Sequence, residues 1–176
     1  FELTASIDCW GPEQEYVRSG FNCDLAEKNI LHYLSLPEID SMNINSTHSL
    51  MSIPSYHKLL KKKMEWEKLT GKTIRMQGMT VMSDHVDAST FGGEFYTEVI
   101  KNILQVHPNH TWDDNQSLKN LNGILQSIIN TKPNIEKIKH FITVYNELDR
   151  RRNTNWKEVF PQIAKEIEKY KNDLVH

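Results

Sequence analysis

The sequence predicts an α/β protein built on parallel strands, and three observations carry that expectation. Short alternations of apolar and polar residues recur three times before residue 106. Segments of helical periodicity, long enough to be crossover connections, separate them. After that point the apolar spacing is helical only. The layout expected is three β/α units over residues 1–106 and a helical region, 107–176, packed on them.

Each element has a local cause. The first strand is Leu3–Asp8, with Leu3, Ala5 and Ile7 on one face and Thr4, Ser6 and Asp8 on the other. Trp10-Gly11-Pro12 breaks it. Asp24 suits the N-cap of a helix over Leu25–Leu36, whose inner side carries Leu25, Asn29, Leu31 and Leu34, and Pro37 lies beyond its end. The second strand is Ser41–Ser46, where Met42 and Ile44 alternate with Asn43 and Asn45. Pro54, favourable in a first helical turn, opens a helix to Leu69. Its apolar side is Ile53, Tyr56, Leu59, Leu60, Met64 and Trp66, with Lys61-Lys62-Lys63 toward solvent and Gly71 at the C-cap. The third strand spans Thr73–Met82, and Gly92-Gly93 precedes a helix over Glu94–Val106. Asn115–Ile129, Ile135–Arg152 and Trp156–Lys171 are the helices of the last third.

Composition narrows the function. The 176 residues match one domain of ~100–200, and 21 basic against 23 acidic side chains lack the basic excess of a nucleic-acid coat protein. No apolar run approaches the ~20 residues of a membrane-spanning helix. Cys9 and Cys23 form neither a disulfide framework nor a metal site by themselves, which makes a reducing, cytoplasmic compartment the expectation. The chain opens at Phe1, already in strand alternation and with no signal-peptide pattern. Three parallel strands leave two unpaired edges, so further β/α units are expected upstream of Phe1.

Ligands of parallel β/α folds bind at the carboxyl ends of the strands. That rule selects Ser6 and Asp8 on the first strand, Asn43, Asn45 and Thr47 on the second, and Gln77 on the third. A strand buried on both faces is nearly all apolar. Small hydrogen-bonding residues on one side instead suit a polar ligand such as a ribose or an amino acid, or an internal polar network with water.

Ala5-Ser-Ile-Asp8, followed by Glu15-Tyr-Val-Arg-Ser-Gly20 and a helix, resembles the middle of radical S-adenosylmethionine (radical SAM) enzymes. Asn43-Ile-Asn-Ser-Thr-His-Ser49 matches the strand that follows there. Phe91-Gly-Gly-Glu-Phe95 and the tail Glu147-Leu-Asp-Arg-Arg-Arg-Asn-Thr-Asn-Trp156 with Phe160-Pro161 resemble the twitch-domain-containing branch. The resemblance covers nearly the whole chain through short motifs in a consistent order. It implies a partial (β/α)6 TIM-like barrel, of which this chain would supply the last three strands and a helical C-terminal appendage. It also implies a [4Fe-4S] cluster, an electron donor, and reductive cleavage of S-adenosylmethionine to a radical that abstracts hydrogen from a small-molecule or peptide substrate. Ser6 and Asp8 would match the strand at the ribose, Arg18 a residue near the cofactor carboxylate, and Asn45 a polar contact on the next strand. Hydroxyl and carboxylate suit ribose hydroxyls, and a guanidinium clamps a carboxylate bidentately.

The departures matter equally. The cluster-binding C-x3-C-x2-C signature is absent, and Cys9 and Cys23 stand 14 positions apart. The glycine-rich segment that follows the family's second strand is also missing. Cys9-Trp10 follow Asp8 where many relatives have Gly, and Asn153 stands where that branch tends to have Gly. By itself this chain is therefore expected to have no radical activity. The alternative is a non-catalytic α/β binding module that contacts phosphate or RNA through Arg150–Arg152 next to Trp156. Those arginines also suit a helix C-terminus, where cations favour the macrodipole. His85 with Asp84 and Asp87, and His107 with His110, are the nearest approaches to metal clusters, and both fit better as loop polar residues.

Overall fold

The computed structural model describes residues 1–81, 83–106 and 116–174. Three strands, β1 (Glu2–Ser6), β2 (Ser41–His48) and β3 (Thr73–Thr80), form one parallel sheet in the order β1-β2-β3. Register places Thr4, Asn43 and Arg75 in one row and Ser6, Asn45 and Gln77 in a row nearer the carboxyl ends. Alternation then gives the sheet two unlike faces. Leu3 and Ala5 of β1, Met42, Ile44, Ser46 and His48 of β2, and Ile74 and Met76 of β3 face the core. On the opposite face Thr4, Ser6, Arg75, Gln77 and Met79 are exposed, and Asn43, Asn45 and Thr47 are half-buried.

The short helix α1 (Pro12–Val17) occupies what the sequence presents as a break. Gly11 adopts φ 92°, a conformation a side chain would strain, and Pro12 is preset for the first turn. Helix α2 (Cys23–Ser35) starts two residues earlier than its periodicity suggests. Asn22, not Asp24, caps it by accepting the Leu25 N–H at 2.7 Å. That start puts Cys23, Ile30 and Leu34 inward and leaves Leu25 57% exposed, so Leu25 and Asn29 are not part of its inner side. After a 3-10 turn at Ile53–Ser55, α3 (Tyr56–Thr70) runs to Gly71 at φ 68°. Its apolar side is as expected except for Met64, which is exposed. Trp66 Nε1 donates to Glu27 at 2.9 Å, and Lys62 pairs with the same carboxylate, so α2 and α3 are joined along the covered face. Lys63 pairs with Glu67.

The remaining helices are α4 (Thr97–Val106), α5 (Gln116–Ile128), α6 (Ile135–Arg152), α7 (Trp156–Val159), α8 (Pro161–Glu168) and α9 (Lys171–Leu174). Gly92 and Gly93 let the segment Ile129–Pro133 pass directly against their backbone, where a Cβ would collide with it. One apolar cluster runs from Ile7 through Trp66, Phe91, Phe141 and Trp156 to Ile167. Among the described residues no helix is long and apolar enough to cross a membrane.

Helix α5 docks on β3 through a buried polar chain. Tyr56 OH donates to Ser117 Oγ at 2.6 Å, and His48 lies 3.1 Å from that oxygen through Nε2 and 2.9 Å from Asn120 Oδ1 through Nδ1. Burial holds the His48 pKa below its ordinary value, which favours the neutral ring that donates to Asn120 and accepts from Ser117. Gly78 makes room: a Cβ there would lie 2.6 Å from His48 Cε1 and 2.9 Å from Ser117 Oγ. The Ser-His-Asn arrangement is architectural, because Ser117 and His48 are both fully buried.

Candidate functional site

The chain leaves β1 through Ile7, Asp8, Cys9 and Trp10, all buried. Helix α1 folds back so that Gln14 Oε1 accepts the N–H groups of Asp8 and Cys9, at 3.0 and 3.1 Å. Ser46 Oγ donates to the Ile7 carbonyl at 2.7 Å, tying the bend to β2. The Asp8 carboxylate is therefore delivered to the carboxyl end of the sheet on a fixed backbone. Its Oδ1 accepts the Thr47 N–H at 2.7 Å and Arg18 Nη2 at 3.0 Å, and its Oδ2 accepts Arg18 Nε at 2.8 Å.

This clasp borders a cavity of about 330 Å³ whose polar wall includes Asp8, Arg18, Thr47, Ser49, Tyr145 and Arg152. The volume lies at the small end of the ~300–1,000 Å³ typical of small-molecule pockets. Helix α6 supplies Tyr145, Leu148 and Arg152, which share a helix face at spacings of three, four and seven. Tyr16 fixes α6 against α1 by donating its hydroxyl to Asp149 Oδ1 at 2.8 Å, while Arg152 Nη1 donates to the Tyr16 carbonyl at 3.5 Å. Burial pushes the Tyr145 pKa up to about 12, so its phenol remains a donor. Two guanidinium groups thus line the cavity against the one carboxylate of Asp8. Among the described residues no carboxylate pairs with Arg152, which leaves an anion-favouring balance.

The four residues that the resemblance matches to the cofactor divide into two pairs, and of the other strand-end candidates Thr47 lines the cavity whereas Asn43 and Gln77 do not. Asp8 and Arg18 meet in the bidentate ion pair. Ser6 and Asn45 are register partners one row back on the uncovered face, Ser6 exposed and Asn45 half-buried, and neither lines the cavity. No local pattern marks Gln14 or Tyr145 as site residues, and Arg152 belongs in sequence to a basic cluster that the structure divides. Arg150 and Arg151 both pair with exposed Glu147 at 2.7 Å, holding its pKa at about 2, Arg150 contributing most. Arg152 turns to the cavity.

The fit of the implied cofactors differs. Arg18 places two of a guanidinium's five N–H donors on Asp8, leaving three for a carboxylate, and Asp8 Oδ2 accepts only Arg18 Nε. These residues suit the carboxylate and hydroxyl groups of S-adenosylmethionine. The cysteines do not suit an iron–sulfur cluster. Both thiols are buried, burial pushes each pKa up, and Cys9 and Cys23 face Gln14 Oε1 and the Gly11 carbonyl. A cluster needs thiolates. His85 bonds Ser83 at 3.0 Å, and Asp87 pairs with Lys137 at 2.6 Å. The side chain of Asp84, and His107 and His110 altogether, lie outside the described residues. Among the described residues no group of three His, Cys, Asp or Glu side chains is placed to hold a metal ion. No protein-family model, curated protein or solved structure matches the chain.

Proposed function

We propose that these residues form the S-adenosylmethionine-binding side of a radical SAM enzyme of the twitch-domain branch, with the three strands as the last units of a partial (β/α)6 barrel. The observation that supports this most is the Asp8–Arg18 clasp on a cavity at the carboxyl ends of three parallel strands. The uncovered polar face bearing Ser6 and Asn45 is consistent with it, since the inward side of an open barrel would be such a face. Held by these residues, S-adenosylmethionine would supply hydrogen-abstraction chemistry once reductively cleaved. In this chain Arg18 orients the cofactor carboxylate with the donors that Asp8 leaves unused. Asp8 accepts a ribose hydroxyl, and Ser6 and Asn45 contribute hydrogen bonds along the sheet. Arg152 and Tyr145 supply donors from α6 and favour an anionic group on the substrate. The cluster ligands and the electron donor belong to polypeptide outside these residues.

The whole protein encoded by the reading frame, prepared anaerobically with iron and sulfide, tests this. With a chemical reductant it should convert S-adenosylmethionine to 5′-deoxyadenosine, and Asp8→Asn should reduce the yield about tenfold or more, as loss of one charge-assisted contact does. A preparation that assembles no iron–sulfur chromophore, or cleaves no cofactor, overturns the assignment. Binding of phosphate or RNA through Arg150–Arg152 draws support from Arg152 alone, because Glu147 occupies the other two. It predicts RNA binding that weakens steeply with salt.

A further inference from the structure

The carboxylates in the last two turns of α6 and in the cavity wall are all engaged away from Arg152. Asp149 accepts from the Tyr16 and Thr154 hydroxyls and from the Trp156 N–H. Glu147 holds Arg150 and Arg151, and Asp8 holds Arg18 and the Thr47 N–H. Of the three consecutive arginines, Arg152 is the one left without a counter-charge among the described residues. Its Nη1 reaches only the Tyr16 carbonyl, at 3.5 Å, and among the described residues its Nε and Nη2 make no hydrogen bond. The side chain is exposed as well as lining the cavity, so a ligand reaches it with no opening of the fold.

Tyr145 supplies a second, independent observation. Its ring is fixed by packing, with centroids 4.6 Å from Phe141 and 6.2 Å from Tyr16. The residue is only 8% exposed, yet among the described residues its hydroxyl has no hydrogen-bond partner. A buried tyrosine normally finds one. The described side-chain atoms that are both unpartnered and sealed from solvent belong to Glu13, Gln14, Ser55 and His57, so the Tyr145 oxygen stays open to the cavity that the residue lines. Burial raises the pKa of this phenol, and the Arg152 charge stands close enough to oppose that rise. An uncommitted phenol and an uncommitted guanidinium thus share the α6 wall.

We propose that Arg152 and Tyr145 form a subsite for a carboxylate carried on a short aliphatic body; its place as the anchor of the substrate rests on the reaction proposed above. The Nε–Nη2 edge of a guanidinium offers two parallel N–H donors to the two oxygens of a carboxylate, and the phenol adds a third. One guanidinium charge balances a monoanion. A phosphate dianion, with three free oxygens, is left short of both charge and donors by the same set. Leu148, Val81 and Val86 line the cavity with apolar surface for the aliphatic part. A free carboxylic acid and the C-terminus of a peptide present the same group.

Amide chemical shifts of the full 176-residue chain, titrated with butyrate, N-acetyl-alanine, butyramide and propyl phosphate, test the proposal. Saturable shifts at Val86, Tyr145, Leu148 and Arg152 are expected with butyrate, and none with butyramide. Tighter binding of N-acetyl-alanine than of butyrate would identify a peptide C-terminus as the source, and the reverse order a free acid. Arg152→Gln should weaken butyrate binding about tenfold or more, and Tyr145→Phe about threefold or more. Arg151→Gln, which removes a guanidinium paired with Glu147, should leave it unchanged. Equal shifts with butyramide, tighter binding of propyl phosphate, an unchanged Arg152→Gln affinity in a chain whose other resonances are intact, or no saturable shift at all would each overturn it. The titration uses neither cluster nor reductant. Formation of 5′-deoxyadenosine without carboxylate binding would therefore overturn this subsite alone, and carboxylate binding without cofactor cleavage the radical reading alone.

Discussion

Replacing Asp8 and Arg18 with alanine, singly and together, isolates the energy of the clasp that borders the cavity. Asp8 has a side chain only 10% exposed and accepts three hydrogen bonds, two from Arg18 and one from the Thr47 N–H. Arg18 is 37% exposed, so solvent screens part of the attraction. Breaking a fully buried pair costs about 3–5 kcal/mol, whereas exposed pairs contribute about 0–1 kcal/mol. A coupling of about 1–2 kcal/mol between these limits follows. Asp8→Ala alone should cost about 2–3 kcal/mol, since it also strands the Thr47 N–H. Arg18→Ala should cost about 1–2 kcal/mol. The assay is urea unfolding followed by tryptophan fluorescence, for which Trp10 is a close reporter, two residues from Asp8 and packed edge-on to Trp66 at 5.0 Å. With a urea slope of ~1–3 kcal/mol per molar, Asp8→Ala should lower the midpoint by about 1 M. A coupling energy under ~0.5 kcal/mol would refute the clasp as a desolvated, hydrogen-bonded unit.

Three other expectations concern different links in the fold. Gly78→Ala drives a methyl into His48 and Ser117 and should destabilise by at least about 1–3 kcal/mol, and a neutral result would refute the close docking of α5 on β3. His48 has a folded pKa depressed by burial, so on acidification the unfolded chain binds its proton first. Its contribution to stability is therefore complete above about pH 6.5 and is lost as pH falls through the folded value. Urea midpoints measured across that range should slope less in His48→Gln than in the parent; equal slopes would count against it, although His57, shifted the same way, leaves a residual slope in both. Asn153 sits at φ 54°, capping α6 in the left-handed region. Asn153→Gly should be neutral or mildly stabilising, whereas Asn153→Val should cost about 1–2 kcal/mol by thermal melting.

The α/β class and the helix that Gly71 ends were legible in the sequence because their signals are local: period-two alternation, a proline in a first turn and a glycine just past the end. Helix α1 was not, since Gly11-Pro12 marks a break and a helix start equally well, and only Glu13, Gln14 and Tyr16 turning inward resolves the two. The misplaced cap of α2 had the same origin. Asn22 and Asp24 are both good caps, and the choice moves every side chain after them around the helix axis. Of the site, Asp8 and Arg18 could be named from motif and strand position, but their mutual pairing joins positions ten apart across a helix. Arg152 and Tyr145 reach the cavity through the packing of α6 on α1, which no local pattern encodes. Asn153 takes the left-handed backbone that ends α6, a conformation asparagine tolerates better than most residues.

In the described sheet β2 has a strand on both sides, whereas β1 has β2 alone. Protection against hydrogen exchange should follow that asymmetry. Amides of Met42 and Ile44, buried in the centre, should exchange only through global unfolding, and those of β1 through a smaller, sub-global opening. The clasp straddles this boundary, because Asp8 follows β1 while Thr47 belongs to β2. Peeling β1 away would separate Asp8 from Thr47 and dismantle that wall of the cavity while β2, β3 and the helices on them stay folded. Denaturant too dilute to alter the helical circular dichroism should therefore already loosen the Asp8–Arg18 cavity, and a strand added to the free edge of β1 would raise the energy of that opening.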